Sequence, residues 1–216
     1  MNSKTCATDA AAETDACEER KAQRYTLLIR AAKLVCTQGE FVCVIRDVSD
    51  TGVSLRTFHA IPDCEPLVLE LQTGESYTLA KVWQRGNEAG FTFEASVDVD
   101  AFVAEVGQYP KRQLRLPLSF PVELDIGTQR INGELHNLSQ QGARITCPLR
   151  LAIAQPVRLV TNALPEVRAR VRWRSEDEFG IAFDDTFTLR DLALIAARIQ
   201  CPALLTEPDC AASLRS

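Results

Sequence analysis

The chain has 216 residues, 46% hydrophobic and 25% charged, which is enough apolar material for one large packed domain or two small ones. The formal net charge is −5, from 24 Lys and Arg against 29 Asp and Glu. That balance argues against a general DNA or RNA binder, which needs a basic surface to meet phosphates, and no apolar run is long enough for a membrane-spanning helix.

The N-terminal residues lack the apolar stretch of a secretory leader, so a cytoplasmic location is the expectation. Eight cysteines are present (Cys6, Cys17, Cys36, Cys43, Cys64, Cys147, Cys201 and Cys210), with no CxxC pair. Only His59 and His136 can add imidazole, so no metal site is expected, and both histidines read as ordinary surface or strand residues. Cys36, Cys43 and Cys147 read as small apolar strand residues, while Cys6, Cys17 and Cys210 fall in terminal segments.

In chain order, residues 1–18 are rich in Ala, Thr, Asp and Glu and hold no aromatic or branched aliphatic residue, the composition of a disordered tail. Arg20 to Arg24 follows, and then strand patterns begin: Leu27–Cys36, Phe41–Val48, Val53–Thr57, Pro66–Gln72, Ser76–Arg85 and Phe91–Glu94. The turn signals between them include Thr37-Gln38-Gly39-Glu40, Ser49 to Gly52, Thr73-Gly74-Glu75 and Gly86 to Gly90. Six short strands with close-set turns predict a small antiparallel barrel or sandwich. The period then changes. Val99, Phe102, Val103 and Val106 share one face of a short helix that Asp98 can cap.

The second half repeats the first. Ser49 and Gly52 return as Ser139 and Gly142, each 90 residues on (139 − 49 and 142 − 52). At the same offset Trp83 returns as Trp173, and Gly90-Phe91-Thr92-Phe93 as Gly180-Ile181-Ala182-Phe183. A helix face recurs as Leu189, Leu192, Ile195 and Ile199 behind a Thr188-x-x-Asp191 capping pattern. The chain therefore divides into a tail (1–18), two copies of one barrel-plus-helix module (19–108 and 109–200) and a C-terminal tail (201–216).

Two polar stretches stand out from this frame. Arg20 and Arg24 precede the first strand, and Asp47-Val48-Ser49-Asp50-Thr51-Gly52 closes the second, so a strand pair can bring them together. RxxxR followed by DxSxxG across a strand pair resembles the PilZ domain. The second module carries NxSxxG at Asn137, Ser139 and Gly142, and its upstream segment has Lys111 and Arg115 at the arginine spacing, with Arg112 between them. The resemblance implies an all-β-dominated fold of two six-stranded antiparallel barrels, each followed by a C-terminal helix. It implies binding of cyclic di-GMP, no catalysis and no cofactor. Arg20, Arg24, Asp47, Ser49 and Gly52 are then the ligand-binding residues, and Lys111, Arg112, Arg115, Asn137, Ser139 and Gly142 a candidate second site.

The residue types suit such a ligand. A guanidinium forks onto a guanine O6/N7 edge or a phosphate and stacks on a base, whereas a lysine offers only a point charge. Asp47 can accept from guanine N1–H and N2–H, Ser49 can donate to a phosphate, and Gly52 permits either positive φ or close backbone approach. The arginine segment is expected to order over the ligand. Each feature also has a plainer reading: a solvated charge run for Arg20 to Arg24, a β-turn for Asp47 to Gly52, barrel core or rim for Trp83 and Trp173. Arg30 can reach the ligand or point to water. A downstream protein partner is implied, a homodimer is left open, and direct nucleic-acid binding or membrane insertion is not expected. The competing function is a ligand-independent interaction adaptor.

Overall fold

The computed structural model describes residues 25–104 and 113–205. The first module runs β1 (Tyr25–Cys36), β2 (Gly39–Val48), β3 (Gly52–Thr57), β4 (Leu67–Glu70), β5 (Ser76–Arg85), β6 (Glu88–Phe93) and α1 (Val99–Ala104). The second runs β7 (Arg115–Leu116), β8 (Phe120–Ile126), β9 (Gln129–Ser139), β10 (Gly142–Thr146), β11 (Pro156–Val160), β12 (Val167–Ser175), β13 (Glu178–Phe183) and α2 (Leu189–Gln200), with a 3₁₀ turn over Pro202–Leu205.

Both modules close into six-stranded antiparallel barrels. The first has the order β1-β2-β3-β6-β5-β4, with β1 pairing β4. The second has β8-β9-β10-β13-β12-β11, with β8 pairing β11 and β7 added outside β9. The cores follow from strand alternation: Leu34, Cys43, Ile45, Leu55, Leu69 and Phe91 fill one barrel, and Leu124, Leu135, Ile145, Leu159, Val171 and Ile181 the other. Each core is closed by its helix, through Phe102 of α1 and through Leu192 and Ile195 of α2.

The duplication extends to single backbone bonds. Thr57 N–H donates to Asn87 O, and Cys147 N–H to Asp177 O; Phe93 N–H donates to Thr51 O, and Phe183 N–H to Gln141 O; Val97 N–H donates to Asp50 O, and Phe187 N–H to Gln140 O. Bulges recur between Lys81 and Trp83 and between Val171 and Trp173. The offset slips only at the entry to each barrel. Tyr25 pairs Val48 as Leu116 pairs Leu138, yet Arg30 pairs Ile45 as Phe120 pairs Leu135. The first module thus holds one more residue in its bulged β1, where the second, interrupted by Pro117, splits the strand into β7 and β8.

Both helix caps form. Asp98 Oδ1 accepts from Asp100 N–H (3.0 Å) and Ala101 N–H (3.2 Å), while Thr188 and Asp191 make a reciprocal capping box. Three expectations are corrected. Arg30 points neither to water nor to a ligand; its guanidinium donates to the carbonyls of Phe102 (2.6 Å) and Val103, meeting the negative end of α1 with a cation. The sixth strand begins at Glu88 rather than Phe91, because Ala89 and Gly90 pair with β3 and β5 and only Gly86 and Asn87 turn. His59 is buried, with 1% of its surface exposed, and is no surface residue. The expected helical residue Val106 lies outside the described residues.

What buries His59 is the junction of the two modules. Residues 41–45 of β2 are buried on both faces: Cys43 and Ile45 point into their own barrel, Val42 joins the core of the second, and Phe41 packs with Ala197 and Leu204. Gln200 at the end of α2 grips the β1–β2 hairpin through both ends of its amide. Its Oε1 accepts from Glu40 N–H (2.9 Å) and its Nε2 donates to Glu40 O (2.7 Å). Gly39, at φ +139°, leaves the space that this amide fills. Ala60 N–H donates to Leu204 O (3.0 Å), and the His59 ring meets Phe41 edge to face, with centroids 5.2 Å apart.

Beside the junction, Lys33 bridges Glu40 (2.9 Å) and Glu70 (2.7 Å). Burial works to lower its pKa, but the two carboxylates outweigh that and raise it. Among the described residues, no helix is long and apolar enough to cross a membrane, and no group of three or more His, Cys, Asp or Glu is placed to hold a metal ion.

Two outcomes are expected. Phe41→Ala opens a cavity between the modules and should cost about 3–5 kcal/mol in denaturant unfolding, on the order of other Phe truncations. His59 Nδ1–H donates to Ala60 O (2.6 Å), which leaves Nε2 as a buried acceptor without a partner. Burial depresses the His59 pKa below its usual 6.5. A depressed pKa means that the unfolded chain binds the proton first, so the contribution of His59 to stability is complete above about pH 6.5 and is lost as the pH falls through the lower folded-state value. The unfolding midpoint should therefore drop on acidification below pH 6.5, with a shallower drop in His59→Gln.

Candidate functional site

Arg20, Arg24, Lys111 and Arg112 lie outside the described residues. The positions of the others can be given. Asp47 sits near the end of β2, half-buried, and its carboxylate accepts from Ser54 Oγ–H of β3 (3.0 Å), while Asp47 N–H donates to the same oxygen (3.2 Å). Tyr25 opposite Val48 brings the start of β1 alongside this end of β2.

Ser49 and Gly52 prove to be builders of the turn. Ser49 is 6% exposed, and its hydroxyl donates to Gly52 O (3.3 Å) and accepts from Gly52 N–H (3.1 Å). Its proton is thereby committed within the turn, and the hydroxyl is not presented outward as a phosphate donor. Ser139 donates to Gly142 O in the same way (3.0 Å). Gly52 does not have positive φ; a Cβ there would stand 2.7 Å from Phe91 O, and one on Gly142 would overlap Ile181 O. Close backbone approach, not φ freedom, therefore requires glycine at both positions.

Sequence reasoning missed two residues of this face. Directly paired residues on neighbouring strands share a face of the sheet. Asp47 pairs Ser54, Ser54 pairs Gly90, and Gly90 pairs Trp83, so these four form one row across β2, β3, β6 and β5 on the outside of the barrel. The Trp83 indole lies over Gly90, where a Cβ would collide with its Nε1. A partly exposed aromatic plane, 39% accessible, thus follows Ser54 and Asp47 along the row, with the Arg85 guanidinium 5.9 Å from its centre. The signal in the sequence was the shared Trp83–Gly90 and Trp173–Gly180 spacing; its meaning depended on strand register.

The second module has the same row with different chemistry: Asn137, Arg144, Gly180 and Trp173. Arg144 takes the place of Ser54 and ion-pairs with Glu178 (3.4 Å). Strand β7 sets exposed Arg115 opposite Ser139, so the second cation of the KxxxR segment does stand beside the NxSxxG turn.

Gly142→Ala tests the role given to the glycines. Overlap with Ile181 O should cost about 1–3 kcal/mol in unfolding free energy, as other overpacking changes do. Ala at Gly74, where nothing lies within 4 Å but φ is +91°, separates backbone strain from crowding.

Comparison with known proteins bears on residues 110–200, which match the family model described as PilZ domain. A comparison with the curated proteins finds no match to this sequence. Similar solved structures include PlzA of Borreliella burgdorferi in complex with c-di-GMP, at 14% identity over 80% of this chain and 88% of that one, with a TM-score of 0.34. YcgR of Escherichia coli in complex with c-di-GMP is 11% identical over 76% and 80%, at 0.32, and the Bacillus subtilis inhibitor of motility 12% identical over 79% and 94%, at 0.35. Residues 110–200 are thus a PilZ domain, and the first barrel has the same strand order.

Proposed function

We propose that this protein is a non-enzymatic receptor for cyclic di-GMP, which binds on the first module and relays its presence to a protein partner. The observation that carries the reading is the row Asp47, Ser54, Gly90 and Trp83, an acceptor carboxylate followed by an aromatic plane on an open barrel face. A guanine presents N1–H and N2–H for a carboxylate and a π-face for an indole. Arg20 and Arg24 supply the forks for the phosphates and for the O6/N7 edge. Chain tethering supports this role, because Arg24 directly precedes Tyr25, whose backbone pairs with Val48 beside the turn. Ser49 and Gly52 serve the site by holding Asp47 at the end of its strand.

The alternative, a ligand-independent interaction adaptor, has specific support in the second module alone. There a neutral Asn137 replaces the carboxylate, and Arg144, paired with Glu178, occupies the position of Ser54. Lys111, Arg112, Arg115, Asn137, Ser139 and Gly142 make at best a weaker site, and that module is the candidate surface for a partner or a second copy. The ends of the chain, residues 1–18 and 201–216, are assigned no part in binding.

Titration calorimetry with cyclic di-GMP is the test. Binding should be lost in Arg20→Ala, Arg24→Ala and Asp47→Ala and kept in Lys111→Ala; no heat at high micromolar ligand would overturn the receptor reading. Trp83→Ala should weaken binding roughly 5- to 150-fold, the range expected for one stacked base at about 1–3 kcal/mol. Ser49→Ala should instead lower stability, by about 1–3 kcal/mol for the unsatisfied Gly52 N–H, with a smaller effect on affinity.

A further inference from the structure

In the first barrel the loop after β3 is covered by the other module. Phe58 packs against the core of the second module, and His59 is buried against Phe41. Ala60 N–H donates to Leu204 O in the turn that follows α2.

The second barrel carries the same loop after β10. Thr57 N–H donates to Asn87 O as Cys147 N–H donates to Asp177 O. The Thr57 hydroxyl donates to His59 O as the Cys147 thiol donates to Leu149 O (3.2 Å). Ile61 and Leu151 are both buried. Pro148, Leu149 and Arg150 therefore occupy the places of Phe58, His59 and Ala60. Here all three are exposed, Leu149 to 36%, and Arg150 N–H meets no acceptor among the described residues. A cleft of about 360 Å³ opens beside them, lined by Cys147, Leu149, Arg150, Arg174, Glu176 and Asp177 among others.

We propose that this loop and cleft are a docking seat for a protein partner that presents the C-terminal end of a helix with a leucine just beyond it. The first barrel shows what such a loop receives: the end of α2 and Leu204. A helix end brings unpaired carbonyls, one of which can accept from Arg150 N–H as Leu204 O accepts from Ala60 N–H. Its leucine can cover Leu149 and take both side chains out of water. The charges are complementary. A helix C-terminus is the negative end of the dipole, and Arg150 and Arg174 line the cleft. Glu176 and Asp177 suit a basic residue in the last helical turn, the place Arg198 has in α2.

The seat is smaller than the junction between the barrels. Strand β9 offers Asn132 and Glu134 where β2 offers Val42 and Val44, so the contact is confined to the loop and cleft and suits a short, reversible partner. The chain's own α2 end is held by the first barrel, and the last carbonyls of α1 are held by Arg30, which leaves the seat to another protein. It shares no residue with the row of Asp47 or that of Asn137, so it stands apart from nucleotide binding.

The probe is a peptide of residues 190–205 of this chain, carrying Cys201→Ser and a photoreactive leucine analogue in place of Leu204, added to the full-length protein. The tethered copy of the same segment holds the seat on the first barrel at high effective concentration, so the peptide reports on the second. Crosslinks should map to residues 147–150 and be suppressed by excess unlabelled peptide. Leu149→Asp, at an exposed position, should lower their yield about tenfold or more with the circular dichroism spectrum unchanged. Arg150→Glu should lower it as well, which keeps the test decisive where the first variant misfolds. Crosslinks confined to residues 57–61, a yield no greater than that of a scrambled peptide, or undiminished labelling of both folded variants would each overturn the proposal.

Discussion

Strand β2 is shared by both halves of the molecule, and most of the structure follows from its burial on two sides. Its run Phe41-Val42-Cys43-Val44-Ile45 faces one barrel with Cys43 and Ile45 and the other module with Phe41 and Val42. A strand enclosed on both faces cannot slip by one residue without exposing one apolar set and misplacing the other, so its register is strongly specified. The same strand then emerges as Asp47 and enters the Ser49–Gly52 turn. The inter-module contact and the candidate ligand face are thus two ends of one element.

That shared strand also explains why two copies of one module have diverged. In the second barrel the positions equivalent to Phe41, Val42 and Val44 are Ile131, Asn132 and Glu134, and β9 is open there to solvent. The modules therefore meet head to tail rather than about a pseudo-twofold axis, and only one of them needs an apolar outer strand. Divergence at the candidate faces runs in parallel. Asp47 beside Ser54 gives the first face a carboxylate, while Asn137 beside Arg144 gives the second a neutral amide and a guanidinium paired to Glu178.

The DxSxxG turn sets a structural pair, Ser49 and Gly52, beside the carboxylate proposed to meet the ligand. Ser49 and Gly52 close the turn and let β3 and β6 approach; the same two positions in the second module do so without the acidic residue. The tryptophans divide their roles similarly, covering Gly90 and Gly180 on one side and leaving part of the ring to solvent on the other.

Local pattern carried the architecture. Period-2 alternation, turn residues, capping pairs and a constant 90-residue offset were enough to place two modules of six strands and a helix, because each reflects short-range backbone geometry that the chain cannot evade; the choice of barrel over sandwich came from the family resemblance. Tertiary structure decided what depends on neighbours far along the chain. Arg30 became a helix cap because α1 ends beside β1, and His59 became buried where its ring packs on Phe41 and its neighbour Ala60 bonds to Leu204. Trp83 joined the row of Asp47 because a bulge reset the register of β5 against β6. The strand read over Phe41–Val48 is covered on both faces at 41–45, and nothing in one dimension says that the cover is the last helix of the other module, since that contact is set by packing across some 160 residues of chain, as in Glu40 with Gln200.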